Sequence, residues 1–143
     1  MPDPKHLSPF LDWPDDLVLV LASRSPRRAE LLTVAGLPFA VCPAGEVESE
    51  RAASLVDLHA DPVAYTVALA EAKARDVSGN KPGRLVLGAD TVVVIEGDIL
   101  EKPCDPEDAI RLLTRLSGRR HTVISAIALV GGAAGRAGAF AHE

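Results

Sequence analysis

The sequence predicts an α/β fold with a mixed sheet flanked by helices, on three observations. Apolar runs of strand length alternate with segments of helix length, the pattern of helices laid on a sheet. Helix starts are signalled by Ser25-Pro26, Asp61-Pro62 and Asp105-Pro106, each a capping residue followed by a proline at the first helical position. Between two β-rich runs, Glu96-Gly97-Asp98 reads as a hairpin turn.

Each element has a local reason. Leu17 to Leu21 is an apolar run that reads as a buried strand. A helix follows from Pro26 to about Ala35, where Gly36 supplies a C-cap and Pro38 forbids continuation. Phe39 to Cys42 is a short strand, and the acidic loop Glu46 to Glu50 comes after it. The second helix runs from Pro62 to about Val77, with Tyr65, Leu69 and Ala72 on one face. Ser78 to Gly83 is turn chemistry. Arg84 to Ile95 is the strongest β signal, returning through Ile99 and Leu100. Glu107 and Asp108 place negative charge at the start of the third helix, which ends near Leu116 before Gly118. Thr122 to Val130 is another buried strand.

Three regions follow: a loose Pro- and Asp-rich arm over 1–16, one domain over 17–130, and a Gly/Ala-rich tail over 131–143 with no strand or helix pattern. Alternating α/β domains rarely finish in such a tail, so the domain is expected to be incomplete.

With 143 residues, 48% of them apolar, the chain can bury a real core, and 3% aromatic content makes that core aliphatic. A net charge of -5 argues against generic nucleic-acid binding. Cys42 and Cys104 are far apart in the sequence and read as reduced thiols. No apolar stretch approaches the ~20 residues needed to span a bilayer. A signal-peptide apolar core is also lacking at the N-terminus, so a cytoplasmic chain without membrane partners is the expectation.

The most informative stretch is Leu21-Ala-Ser-Arg-Ser-Pro-Arg-Arg28. The first turn of a helix carries partial positive charge and ordinarily attracts acids. Here it carries Arg27 and Arg28, two cations that repel the dipole by a few tenths to ~1 kcal/mol each. An anion seated there resolves the conflict, and guanidinium forks bind phosphate bidentately. A solvated arginine pair is the competing reading, and the two arginines alone do not decide between them.

Asp90 lies in Leu85-Val-Leu-Gly-Ala-Asp-Thr-Val-Val-Val-Ile95, among apolar neighbours. A carboxylate there is costly unless paired, hydrated or metal-bound. Either the strand ends at Gly88 and Asp90 sits in a solvated turn, or Asp90 marks a functional carboxyl edge. By spacing alone Lys73 and Lys102 are ordinary surface lysines, and Glu48 is one acid in an acidic loop. The four histidines have no metal-ligand spacing. Neither GxxxxGK[ST] nor GxGxxG occurs, which excludes those two nucleotide-binding loops. Arginines, carboxylates and lysines together suit magnesium-dependent chemistry on a phosphorylated substrate, because Mg²⁺ takes one or two protein acids plus phosphate oxygens.

Leu21 to Leu32, Gly88-Ala-Asp-Thr-Val-Val93, Gly97-Asp-Ile-Leu-Glu-Lys-Pro103 and Asp108 to Gly118 before His121 resemble the Maf family of nucleoside triphosphate pyrophosphatases. The motifs run in order from about Leu17 to Val130. The resemblance implies an α/β fold like that of inosine triphosphate pyrophosphatase, and hydrolysis of a nucleoside triphosphate to monophosphate and pyrophosphate with a divalent metal. It implies a cytoplasmic homodimer and an association with septum formation in cell division. By motif position, Asp90 matches the general base, Ser23, Arg27 and Arg28 the phosphate-binding loop, and Glu48 a metal- or substrate-associated acid. Lys73 and Lys102 match basic positions facing the polyphosphate, while Arg27 and Thr91 match positions linked to substrate choice. Asp90 and Glu48 are then the expected metal acids, with Mg²⁺ as the cation.

Pro-Arg-Arg, Ala-Asp-Thr and Leu-Glu-Lys-Pro are similar to the branch acting on dTTP and UTP, with modified pyrimidine nucleotides as further substrates. One departure stands out. Family members continue for several dozen residues, through a Gln linked to substrate choice, and this sequence has no counterpart. A shortened member that binds nucleotide without cleaving it, as a regulator of cell division, is therefore the alternative.

Overall fold

The computed structural model describes Pro14, residues 17–45 and 61–131, and the backbone of residues 136–142. The expected 1–16 arm, apart from Pro14, and the loop bearing Glu48 lie outside the described residues. Nine elements follow in order: β1 (Leu19–Leu21), α1 (Pro26–Val34), β2 (Phe39–Val41), α2 (Pro62–Asn80), β3 (Leu85–Ile95), β4 (Asp98–Leu100), α3 (Pro106–Leu116), β5 (Thr122–Gly131) and β6 (Arg136–His142). The α/β class with a mixed sheet is as the sequence predicts.

Local chemistry explains the element ends. Asp61 Oδ1 accepts from the Ala64 N–H at 2.9 Å, and Asp105 Oδ1 from the Asp108 N–H at 2.7 Å, so α2 and α3 are capped by side chains. Glu96 (φ 52°) and Gly97 (φ 85°) both take positive φ, the demand of a tight hairpin turn whose twist matches its strands. The α2 helix runs three residues past Val77 into the expected turn, ending at Asn80.

The strands form one six-stranded sheet in the order β2-β1-β3-β5-β6, with β4 also on β3. Pairing is parallel for β2-β1 and β1-β3 and antiparallel elsewhere. One sequence expectation is corrected here. The Gly/Ala-rich tail forms β6 over 136–142, pairing in register with Ser125 to Gly131. Small residues signal strands weakly, but the open backbone edge of β5 supplies a template that overrides propensity.

α2 covers one face of the sheet. The main core joins Val20, Ala70, Ala74, Val77, Val86, Ala126, Ala128 and Val130. The deepest stripe of α2 is Thr66, Ala70, Ala74 and Val77 beside Tyr65, and not the expected Tyr65-Leu69-Ala72 face, whose last two residues are half-buried. The reason is close approach. A Cβ on Gly88 of β3 would overlap the Ala70 carbonyl oxygen and stand 2.8 Å from the Ala74 nitrogen. Glycine facing alanines lets helix and sheet backbones come together.

The two edges of β3 are paired unequally. β5 pairs with one edge from Leu85 to Val94. β1 pairs on the other edge at Val86 and Leu87, and β4 at Val93 to Ile95. Between them, Gly88 to Val92 has no strand partner on that edge among the described residues. The β1–α1 loop leaves the sheet at the start of this gap, where the Ala22 N–H donates to the Leu87 carbonyl at 2.8 Å.

Candidate active site

Of the residues singled out in the sequence, Ser23, Arg28, Lys73, Asp90 and Thr91 gather at this gap. Asp90 lies in mid-strand, opposite Ala126 of β5, which corrects the expectation that it ends a strand or sits in a turn. β3 continues past it because β5 and then β4 pair with it. The carboxyl edge that Asp90 does stand beyond is that of β1, whose pairing with β3 stops at Leu87.

Successive β3 side chains point to opposite faces. Asp90 therefore shares the α2 face with Gly88 and Val92, and Thr91 takes the other. On the α2 face, Asp90 Oδ1 accepts from Lys73 Nζ in an ion pair whose side chains are 13% and 26% exposed. Partial burial makes this pairing necessary, since a carboxylate without a partner there would be strongly penalised. Lys73 is thus the partner of a partly buried carboxylate and not the ordinary surface lysine that its spacing suggests.

Ser23 and Arg28 close the gap from the loop side. Ser23 is 7% exposed, and its Oγ accepts from the Ser25 N–H at 3.2 Å and from Arg28 Nη1 at 2.9 Å. Arg28 Nη2 reaches Thr91 Oγ1 at 3.4 Å, and Thr91 Oγ1 lies 3.0 Å from Ser125 Oγ on β5. Burial pulls the Arg28 guanidinium below its ordinary pKa, and the charge of Asp90 opposes that pull. The arginine thus stands between the two faces, bonded to Thr91 on one and within the field of Asp90 on the other.

The helix-start argument is sharpened. Ser25 occupies the N-cap position of α1, but its side chain makes no capping bond, and the first turn contains no acid. Positive backbone charge and Arg28 thus stand together at a helix start whose own first turn has no acid to offset them. Arg27 and Lys102 are exposed and make no hydrogen bond or ion pair among the described residues. Glu48 lies outside those residues, so the expected Glu48–Asp90 acid pair is not part of the described geometry. No group of three metal-ligating side chains occurs among the described residues.

Two groups near the site escaped the sequence reading. Tyr65, buried at 4% exposure, donates from its hydroxyl to Glu101 Oε1 at 3.1 Å, beside Lys102 in the chain. Burial first, then the charge and hydrogen bond of Glu101 and the charge of Asp90, push the phenol pKa up to about 12. Ser125 is the second. Its signal was available, as the one hydroxyl among Val123, Ser125, Ile127 and Leu129, the alternate positions of β5.

Fold and site define an α/β protein whose sheet opens beside one strand to hold a basic loop against an ion-paired carboxylate. The sequence profile of the Maf-like protein family (Maf) matches residues 18–142, and this chain belongs to that family. A dTTP/UTP pyrophosphatase of Symbiobacterium thermophilum is 49% identical over 115 residues, covering 80% of this chain and 56% of that protein. Another from Moorella thermoacetica is 52% identical over 112 residues, covering 78% and 55%. The chain spans about half the length of these curated relatives. A solved nucleoside-triphosphatase / dITP/XTP pyrophosphatase of Mycobacterium abscessus superposes with a TM-score of 0.47 at 17% identity, over 88% of this chain and 70% of that one. No helix among the described residues is long and apolar enough to cross a membrane.

Proposed function

We propose that this chain binds a nucleoside triphosphate in the β3 gap and hydrolyses it to the monophosphate and pyrophosphate, with dTTP and UTP as substrates. One observation carries the reading: Arg28 bridges Ser23 of the loop and Thr91 of β3, next to Asp90. A guanidinium fork suited to phosphate, lying close to a carboxylate, supports the reading. The relatives named above support the substrate class.

Arg28, with Ser23 holding it and the first-turn N–H groups of α1 around it, binds polyphosphate oxygens. Arg27 and Lys102 add charge from the rim, and Thr91 contributes to substrate choice. Asp90 accepts the proton of the attacking water, a general-base contribution of about 10² to 10⁴-fold. Lys73 holds one Asp90 oxygen and so fixes the direction of the carboxylate. Positioning and charge stabilisation supply most of the remaining acceleration, as is usual in phosphoryl chemistry.

The donor chemistry fits a divalent cation. Asp90 is a hard carboxylate ligand, Glu48 is a second by family position, and Mg²⁺ typically completes its shell with substrate phosphates and water. Bound there, the cation would neutralise charge on the polyphosphate. Cytoplasmic location, homodimer formation and a role in cell division belong to the same family reading.

The test is pyrophosphate release from dTTP and UTP with Mg²⁺, set beside calorimetric binding of each. Release supports the enzyme. Binding without release supports the nucleotide-binding regulator, and neither would remove the nucleotide reading altogether.

A further inference from the structure

On the sheet face opposite α2, β5 presents Val123, Ser125, Ile127 and Leu129. The three apolar members are between 39% and 46% exposed. Ser125, exposed too, stands directly across from Thr91 in the β3-β5 register. Its Oγ lies 3.0 Å from Thr91 Oγ1, which also accepts from Arg28 Nη2.

Counting protons shows that the pair has one hydrogen to spare. A guanidinium only donates, whereas each hydroxyl has one hydrogen and two lone pairs. Arg28 therefore consumes an acceptor site on Thr91 and no hydroxyl hydrogen. Of the two hydroxyl hydrogens, one lies between Thr91 and Ser125, whichever oxygen donates it. The other has no acceptor among the described residues, and the apolar neighbours on β5 offer none. Contact with a cation polarises such a chain and strengthens its terminal donor.

We propose that Ser125 is a substrate-binding residue: with Thr91 it presents one O–H donor to an acceptor oxygen of the nucleotide engaged by Arg28. This rests on the triphosphate reading above. The acceptor is a phosphate oxygen or a carbonyl or hydroxyl oxygen of the nucleoside, and two ligands separate these sources.

Binding of dTTP and of inorganic tripolyphosphate, each with Mg²⁺, is measured by calorimetry for the unmodified chain, Ser125→Ala and Ser125→Thr. Ser125→Ala is expected to weaken dTTP binding roughly tenfold, and Ser125→Thr to restore it. Equal weakening of tripolyphosphate assigns the acceptor to phosphate, and unchanged tripolyphosphate binding assigns it to the nucleoside. If the chain turns over, KM rises in Ser125→Ala while kcat changes little. Melting temperature should not move, because the side chain is exposed. Affinity of Ser125→Ala for both ligands within about twofold of the unmodified chain overturns the role. Tripolyphosphate binding without pyrophosphate release from any nucleotide overturns the hydrolase reading and leaves the Ser125 comparison readable. Binding of neither ligand overturns both.

Discussion

The Tyr65 hydroxyl donates to Glu101 Oε1 at 3.1 Å, tying the first turn of α2 to the chain leaving β4. Lys102 is the next residue, so this bond sets where the Leu-Glu-Lys-Pro segment crosses the rim of the site. Tyr65→Phe keeps the buried ring and removes the bond. It should cost about 1 kcal/mol at neutral pH by urea denaturation. The sign of the pH effect follows from the phenol. Its pKa rises from 10.0 to about 12 on folding, so the folded chain keeps a proton that the unfolded chain releases. That contribution is complete below pH 10 and is lost as pH rises towards 12. Stability across this window should fall more steeply in the unmodified chain than in Tyr65→Phe, and equal slopes would remove the assignment.

Asp90→Asn keeps the shape of the side chain and removes the base. Metal-dependent pyrophosphate release is expected to drop by about 10² to 10⁴-fold, while calorimetry still detects nucleotide. Undiminished turnover would take the general-base role away from Asp90.

Arg28→Lys keeps the charge and loses the fork. A lysine ammonium is a point charge that cannot reproduce the planar geometry joining Ser23 and Thr91. KM for the triphosphate should rise on the order of tenfold, with little change in thermal stability. Kinetics indistinguishable from the unmodified chain would show that charge alone suffices.

Gly88→Ala tests the close approach of α2. The added methyl meets the Ala70 carbonyl and the Ala74 nitrogen, both backbone atoms of a packed helix, so the helix must shift. A loss of about 1 to 3 kcal/mol is expected in denaturant titrations. Because Lys73 lies between Ala70 and Ala74, turnover should fall as well. An unchanged midpoint would mean that α2 slides freely on the sheet.

Much of this was legible in the residues themselves. Asp61-Pro62, Asp105-Pro106 and Glu96-Gly97 fix φ or supply caps within a few residues, so the ends they set appear where the sequence places them. The anomaly of Arg27 and Arg28 at a helix start singled out the loop whose Ser23 and Arg28 meet Thr91 in the fold. Lys73 is marked by its motif position alone, and its pairing with Asp90 was not legible, because a lone lysine on a helix carries no sign of what faces it. Ser125 shows in the sequence only as the one hydroxyl among the alternate positions of β5. Its meaning depends on a strand register in which Thr91 stands opposite.

By itself, then, the sequence determined every described element but β6, and the chemical types at the candidate site, because capping, turn chemistry and apolar periodicity act over short spans of chain. The tertiary structure alone decided that β1 and β4 leave Gly88 to Val92 without a strand partner on that edge among the described residues. It also brought Lys73 to Asp90 across 17 positions and Arg28 to Thr91 across 63. These are consequences of pairing and close packing between distant segments, which local preference does not encode. In the sheet gap they set Arg28, one of the two arginines, against Thr91 and within the field of Asp90.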